Sequence, residues 1–170
     1  VNSLEVLENQ AVFSLSNIPD RPGIAAQIFE KLSEASISVD LIIQATNDGN
    51  KNDITFTVSE LEVKKTAEQC ELITSQLGGE YNLKTNMTKL SIQGAGIMGR
   101  PSVSADLFDT LSQANINVRL IATSEIKVSC VIEINNIPKA IRFVAEKFKL
   151  SDTQIFVNPI NEKQDQPEVR

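Results

Sequence analysis

Two loops carry residue types suited to holding a small charged molecule: Asn17-Ile18-Pro19-Asp20-Arg21-Pro22-Gly23 and Gly94-Ala95-Gly96-Ile97-Met98-Gly99-Arg100-Pro101. Each sets glycines, an arginine and a proline directly ahead of an apolar periodic stretch. Glycine lets a backbone approach a ligand closely, and proline suits a first helical turn. The exposed N–H groups of that turn attract a carboxylate, worth about 0.3–1 kcal/mol from the helix dipole alone. The chemistry on offer is anion binding, not bond making. The chain has no histidine, and Cys70 and Cys130 are its only cysteines, so neither the usual zinc ligand sets nor Ser-His or Cys-His nucleophile pairs can be assembled. The two thiols read as reduced core residues.

The loops matter because they repeat. When the chain is slid along itself by 79 residues, Pro22 falls on Pro101 and the match runs without gaps. Arg21, Pro22, Ala26, Phe29, Leu32, Ser33, Ala35, Ile37, Val39 and Leu41 meet the identical Arg100, Pro101, Ala105, Phe108, Leu111, Ser112, Ala114, Ile116, Val118 and Leu120. Amphipathic helices share Leu and Ala by chance, but seldom an Arg-Pro start and an Ile-x-Val-x-Leu exit in step. Two copies of one fold are expected.

The elements that must position each loop follow the same order in both copies. A short apolar segment (11–15; 90–93) leads into the loop. A helix follows, with Ala25, Ile28, Phe29, Leu32 and Ala35 forming a stripe at helical spacing. Ser104, Leu107, Phe108, Leu111 and Ala114 reproduce it with one small polar exception. Next, 39–45 and 118–122 are rich in β-branched and apolar residues and read as central strands. Ile54, Phe56 and Val58 then alternate with polar neighbours after the hairpin turn Asn47-Asp48-Gly49-Asn50, and Val128, Cys130, Ile132 and Ile134 alternate after a tight turn. Second helices at 63–77 and 138–148 and last strands at 83–85 and 155–157 complete a β-α-β-β-α-β order. The fold class is thus α+β: two tandem ferredoxin-like units, each an antiparallel sheet with helices on one face. The boundaries fall at 9–86 and 87–158, the leftover strand 3–7 joins the sheet of the second unit, and 159–170, polar and with Pro159 and Pro167, reads as a disordered tail.

Composition narrows the function. With 170 residues, 41% apolar, the chain can bury one mid-sized core or two of about 70 to 80 residues each. A net charge of −6, a pI near 4.8 and 5% aromatics exclude a nucleic-acid surface, which needs clustered cations and stacking faces. No apolar run reaches the roughly 18–20 residues of a membrane span, no secretory leader opens the chain, and a cytoplasmic location is expected. The chain begins at Val1 without an initiator methionine, as a piece of a longer protein would, and a missing partner domain would attach at that end.

The start Asp20-Arg21-Pro22-Gly23, the helix after it and Ile37-Ser38-Val39-Asp40 together resemble an ACT domain. The runs Ile116-Asn117-Val118-Arg119-Leu120-Ile121-Ala122-Thr123-Ser124-Glu125-Ile126 and Gln93-Gly94-Ala95-Gly96-Ile97-Met98 are similar to the regulatory region of aspartate kinases, over about residues 4–157. The resemblance implies feedback sensing of the end products threonine and lysine, with no catalytic site, no cofactor and no metal in this chain. The implied partners are an aspartate kinase catalytic domain or subunit and a second copy of this chain, a homodimer formed through ACT units. An α-amino acid offers a carboxylate to helix-terminal amides and an ammonium to carbonyls or an acid.

For the first copy the resemblance implies Asp20 and Gln44 as contacts for the effector side chain or amine. Gly23, Ile24 and Ala25 offer N–H groups, and Ser38, Val39 and Asp40 close the pocket. Asp53, Ile54 and Thr55 lend an edge to the site of the neighbouring, second unit. Threonine suits this set, because an amide and a carboxylate can both bond its hydroxyl. In the second copy the matching positions are Met98, Gly99, Pro101, Ser102, Val103, Asn117, Val118, Thr123, Ser124 and Glu125. There Arg119 stands where the first copy has Asp40, so a lysine ammonium cannot pair at that position and Glu125 is the remaining acid nearby. Two other readings stay open at this point. One is an ACT sensor serving a different enzyme or regulator. The other is an enzyme on the same scaffold, such as an acylphosphatase, for which Arg21 or Arg100 could hold an anion but no general base is evident.

Overall fold

The computed structural model describes residues 1–158; the stretch read above as a tail, 159–170, lies outside them. The elements in chain order are β1 (Ser3–Pro19), α1 (Ile24–Glu34), β2 (Val39–Asn47), β3 (Lys51–Ser59), α2 (Val63–Leu77), β4 (Glu80–Gln93), α3 (Pro101–Gln113), β5 (Leu120–Thr123), β6 (Lys127–Glu133), α4 (Ile137–Phe148) and β7 (Ile155–Asn158). They gather into two compact units, one formed by Gln10–Met87 and the other by Val1–Asn9 with residues 88–158.

In the unit Gln10–Met87 the strand order is β2-β3-β1-β4, the last two contributing their stretches from this unit. β3 pairs antiparallel with both neighbours, Phe13 opposite Phe56 on one side and Ile42 opposite Phe56 on the other. The alternation of Ile54, Phe56 and Val58 puts all three into the core with Ile28, Leu32, Cys70 and Ile73 from the helices. Each such fully buried aliphatic side chain contributes about 1.5–3 kcal/mol. Phe56 stacks on Phe13 at 5.7 Å and meets Phe29 edge-on at 6.0 Å, geometries that add to burial.

The other unit has the strand order β7-β1-β4-β6-β5, again using the stretches of β1 and β4 that belong to it. Its core gathers Leu90, Ile92, Leu107, Leu111, Val128, Cys130, Ile132, Ala140 and Val144. Leu4 to Leu7 pair with Ile155 to Asn158 in parallel, so the sheet is not antiparallel throughout. Lys127 Nζ donates to Glu5 Oε2 at 2.8 Å and fixes that first stretch to β6.

Two expectations need correction. Apolar composition marks β2 and β5 as central strands, yet each is the outer strand of its order. Ile42 and Ile121, 79 positions apart, are consequently 54% and 49% exposed. Apolar content reports which residues a strand offers, not where the strand sits. Also, the segments expected separately at 3–7 and 11–15, and at 83–85 and 90–93, are continuous strands, β1 and β4. Asn9 and Asn86 carry each strand across its polar interruption with φ of 56° and 58°, a conformation that asparagine tolerates better than most residues.

Both opening helices stop in the same way. Ser36 and Asn115 have φ of 58°. Their N–H groups donate to the Ser33 and Ser112 carbonyls, and those of Ile37 and Ile116 to the Leu32 and Leu111 carbonyls, all at 2.9 Å. This is a Schellman ending with its apolar seal, since both isoleucines are buried. It explains why the Ile-x-Val-x-Leu exits repeat in register.

Candidate functional site

In the first unit the loop ahead of α1 is shaped by a bulge. The β1–β3 register shifts between Leu15 and Ile18, and Asn17 takes φ 57°. The Asn17 N–H freed by that turn donates to Asp53 Oδ1 at 3.1 Å. One turn on, the Asp20 N–H donates to the Asn50 carbonyl at 3.0 Å, and Asn52 Nδ2 donates to Asp20 Oδ1 at 3.0 Å. Gly23, at φ 90°, is the residue from which α1 starts. Its carbonyl accepts from the Gln27 N–H at 3.0 Å, while the Ile24 N–H turns back to the Arg21 carbonyl at 3.4 Å. Helix geometry gives the first-turn amides no intrahelical acceptor, so Ala25 supplies the outward donor here.

Gln44 lies on β2 opposite Ile54, at the end of the unit where the loop and the start of β3 also lie. The structure thus brings Asp20, Gly23, Ala25, Gln44 and Asp53 to one end. Ile24 and Ile54 belong there too, but their side chains are 3% and 2% exposed and point into the core, leaving only backbone. Thr55 shares its hydroxyl with Ser14 Oγ at 3.1 Å. Ser38, Val39 and Asp40 lie elsewhere, beyond the C-terminal end of α1, and an 11-residue helix separates the two groups by roughly 16 Å.

In the second unit the corresponding loop encloses a cavity of about 150 Å³ lined by Ile97, Met98, Arg100, Pro101, Ser104, Thr123, Ser124 and Val128. Of the residues expected from sequence, Met98, Pro101, Thr123 and Ser124 meet in it. The loop is tied to the β5–β6 turn: the Met98 N–H donates to the Glu125 carbonyl at 3.4 Å, the Gly94 N–H to the Ile126 carbonyl at 2.9 Å, and the Ser124 N–H to the Lys127 carbonyl at 2.8 Å. The Gly99 N–H is taken by the Gly96 carbonyl at 3.1 Å and that of Val103 by the Arg100 carbonyl at 3.0 Å. Pro101 has no N–H, so Ser102 offers the free first-turn amide of α3. Glu125 is exposed and does not line the cavity. Asn117 and Val118 stand at the far end of α3, where they help line a separate open depression with Phe108, Ser112, Asn115 and Ile116. Arg119 is bound at 2.9 Å to Glu133 on the neighbouring strand.

Of the cavity residues, Ile97, Ser104 and Val128 were not expected as ligand contacts from sequence, and Arg100 only as an anion holder in the enzyme reading. Two left a signal. Arg100 repeats Arg21, and Ser104 is the small polar exception in an otherwise apolar helical stripe, which is what a residue facing a cavity instead of a core looks like. Asn52 was also passed over, since a lone asparagine in a strand reads as outward-facing.

Among the described residues no group of three or more His, Cys, Asp or Glu is placed to hold a metal ion. Burial pushes the Cys70 and Cys130 thiols up to about 12, so neither is a nucleophile near neutral pH. No helix among the described residues is long and apolar enough to cross a membrane.

A family model for the ACT domain matches residues 16–71 and 90–148. Among curated proteins, the aspartokinase of Thermus thermophilus is 35% identical over 144 residues, which are 84% of this chain and 36% of that protein. The chain thus spans little more than a third of the length of such relatives. Among solved structures, the regulatory subunit of aspartate kinase from Thermus thermophilus in its ligand-free form superposes with a TM-score of 0.82 at 34% identity, covering 87% of this chain and 98% of that one. Aspartate kinase from Synechocystis gives a TM-score of 0.86 at 33% identity over 98% of this chain and 29% of that one. Two matched segments that together exceed half of the sequence, and a regulatory subunit matched almost end to end, establish that the chain belongs to the ACT-domain family, in the branch formed by the regulatory parts of aspartate kinases.

Proposed function

We propose that this chain is a cytoplasmic allosteric module that binds the end-product amino acids threonine and/or lysine and thereby feedback-inhibits an aspartate kinase. Its functional units are an ACT domain at 9–86 and a second at 87–158 extended by the strand 3–7. The catalytic part is either carried on the same polypeptide or made as a separate subunit.

The observation that carries this reading is the repeated junction of strand end, loop and helix start. In the first unit that end carries the start of α1, Asp20 bonded by Asn52, and Gln44 on β2. In the second it encloses a cavity with the Arg100 guanidinium and the Thr123 and Ser124 side chains. A carboxylate goes to the helix start, and the acid and amide of the first unit take up an ammonium or a hydroxyl. Ser38 to Asp40 and Asn117 to Val118 lie a helix length away from these junctions, which supports their closing a pocket against a second copy. The module is therefore a homodimer whose ACT units meet through these edges.

Calorimetry and thermal shift with the twenty amino acids test the reading. Threonine or lysine should bind and raise the melting temperature. If neither binds, and no other amino acid does, the sensing function is wrong.

A further inference from the structure

The first unit contains a buried amide that the fold does not need. Asn52, on β3, is 4% exposed, and its Nδ2 donates to Asp20 Oδ1 at 3.0 Å. Because the acceptor is a carboxylate, the NH₂ end must face Asp20, and the orientation of the amide follows. Its other end, Oδ1, is buried and without a hydrogen-bond partner. Native structures rarely leave such a group unsatisfied, and a buried orphan acceptor weighs against folding. A β-branched apolar residue would suit this strand position better. What the amide does instead is bond the carboxylate of one exposed loop residue.

The second unit shows what the position holds when that carboxylate is missing. The 79-residue offset places Gly99 on Asp20 and Thr123 on Gln44. Gln44 pairs with Ile54 and Thr123 with Val128, so two residues earlier Asn52 corresponds to Ile126. Acid and amide are replaced together, by glycine and by isoleucine. The cavity of that unit has a cation, Arg100, and no acid among its lining residues.

We propose that Asn52 is a positioning residue that locks the Asp20 carboxylate to read a ligand hydroxyl, and that this makes the first unit alone selective for a hydroxyl-bearing amino acid over its methyl isostere. The inference rests on the amino-acid-sensing function argued above. Held by Nδ2 through Oδ1, Asp20 has its other carboxylate oxygen left for a ligand, at the end of the unit that also carries Gln44 and the start of α1. A free carboxylate on an exposed loop loses that alignment to side-chain entropy. An unpaired buried acceptor is then retained for recognition and not for stability.

The test compares threonine with valine, which differ by a hydroxyl against a methyl, on the full chain by calorimetry, together with melting temperature. In Asn52→Val the melting temperature without ligand should stay level or rise. The ratio of threonine to valine affinity should fall by about tenfold, mostly through threonine. Asn52→Ser, which keeps a short hydroxyl donor, should recover part of the ratio. Ile126→Val in the second unit should leave the ratio unchanged. A merely structural asparagine would lower the melting temperature and weaken both ligands equally, and that result overturns the proposal, as does an unchanged ratio in Asn52→Val. If the wild-type chain binds neither threonine nor valine, the sensing function itself fails and this inference falls with it.

Discussion

Replacing Gly79 by alanine separates backbone strain from steric contact at the base of the first unit's loop. Gly79 has φ +80°, and a Cβ built on it would sit 2.3 Å from the Ser16 carbonyl oxygen and 3.1 Å from that of Asn17. Gly49 has nearly the same φ, +81°, with nothing within 4 Å of its added Cβ. The two substitutions share the left-handed penalty of about 1–2 kcal/mol, reduced by up to about 1 kcal/mol because alanine also restricts the unfolded chain. Only Gly79→Ala adds the overpacking term, about 1–3 kcal/mol, and backbone cannot rotate away as a flexible side chain would. We therefore expect about 1 kcal/mol for Gly49→Ala and about 2–4 kcal/mol for Gly79→Ala, read from urea midpoints. For a chain of 170 residues that corresponds to melting shifts of about 2–4 °C per kcal/mol. The carbonyl displaced by Gly79→Ala belongs to the residue before the Asn17 bulge, so threonine affinity should fall as well. Equal destabilisation by the two substitutions would refute the close approach of β4 to the bulge, and undiminished threonine affinity would refute its role in shaping the loop.

Other consequences are simpler to check. Gln44→Ala should leave the melting temperature unchanged without ligand, since Gln44 is exposed, and should lower threonine affinity by about five- to tenfold; an unaltered titration would remove Gln44 from the site. Burial holds the Cys70 and Cys130 thiols protonated up to about 12, against 9.0 for a free thiol. Both should resist thiol-modifying reagents at pH 8 until the chain is unfolded. Because the folded state keeps these protons while the unfolded state gives them up, stability should decline as pH rises from about 9 towards 12. Rapid labelling of the native chain at pH 8 would contradict this. Ile42→Lys together with Ile121→Lys, on the two outer strands, should convert a dimer to monomers by sedimentation velocity; a wild-type chain that sediments as a monomer with and without ligand would overturn the dimer.

What could be read from the sequence was what local chemistry imposes. The helix stripes and the alternation of Ile54, Phe56 and Val58 follow from spacing, whereas the Schellman endings at Ser36 and Asn115 carry no glycine to announce them. The repeat multiplied their weight, because a coincidence at one loop had to be a coincidence at two. Strand order left no such trace: Ile42 and Ile121 look like core residues in sequence, since periodicity assigns a face and pairing assigns a neighbour. The continuity of β1 and β4 was hidden by Glu8-Asn9 and Thr85-Asn86, polar steps that imitate a loop until their pairing is seen. Asn52 was invisible for the opposite reason: its polarity is local, but its burial is a property of the assembled unit. The placement of Ser38 to Asp40 at the far end of α1 also follows from β-α-β geometry, yet residues collected by family resemblance carry no indication of which end of a unit they occupy.

The differences between the copies carry more functional meaning than their likeness. An effector present at 100 times its dissociation constant supplies about 2.7 kcal/mol, while moving a two-state switch from 1:99 to 99:1 needs about 5.5 kcal/mol of differential binding. Two occupied sites reach that figure and one does not. Were both junctions alike, a single amino acid could fill them and throw the switch unaided. Asp20 and Asn52 in the first copy against Gly99 and Ile126 in the second make the junctions chemically unlike, while at the far ends of the opening helices Arg119, standing where the first copy has Asp40, is committed to Glu133 at 2.9 Å. On the proposed function, each amino acid then fills only its own junction in each protomer, so one ligand alone leaves half of the dimer's sites empty and moves the equilibrium less far than both together. Titrating the kinase complex with threonine at fixed saturating lysine, and the reverse, should give inhibition beyond the sum of the single effects. Inhibition by one amino acid that the other cannot deepen would mean that the two junctions read the same group after all.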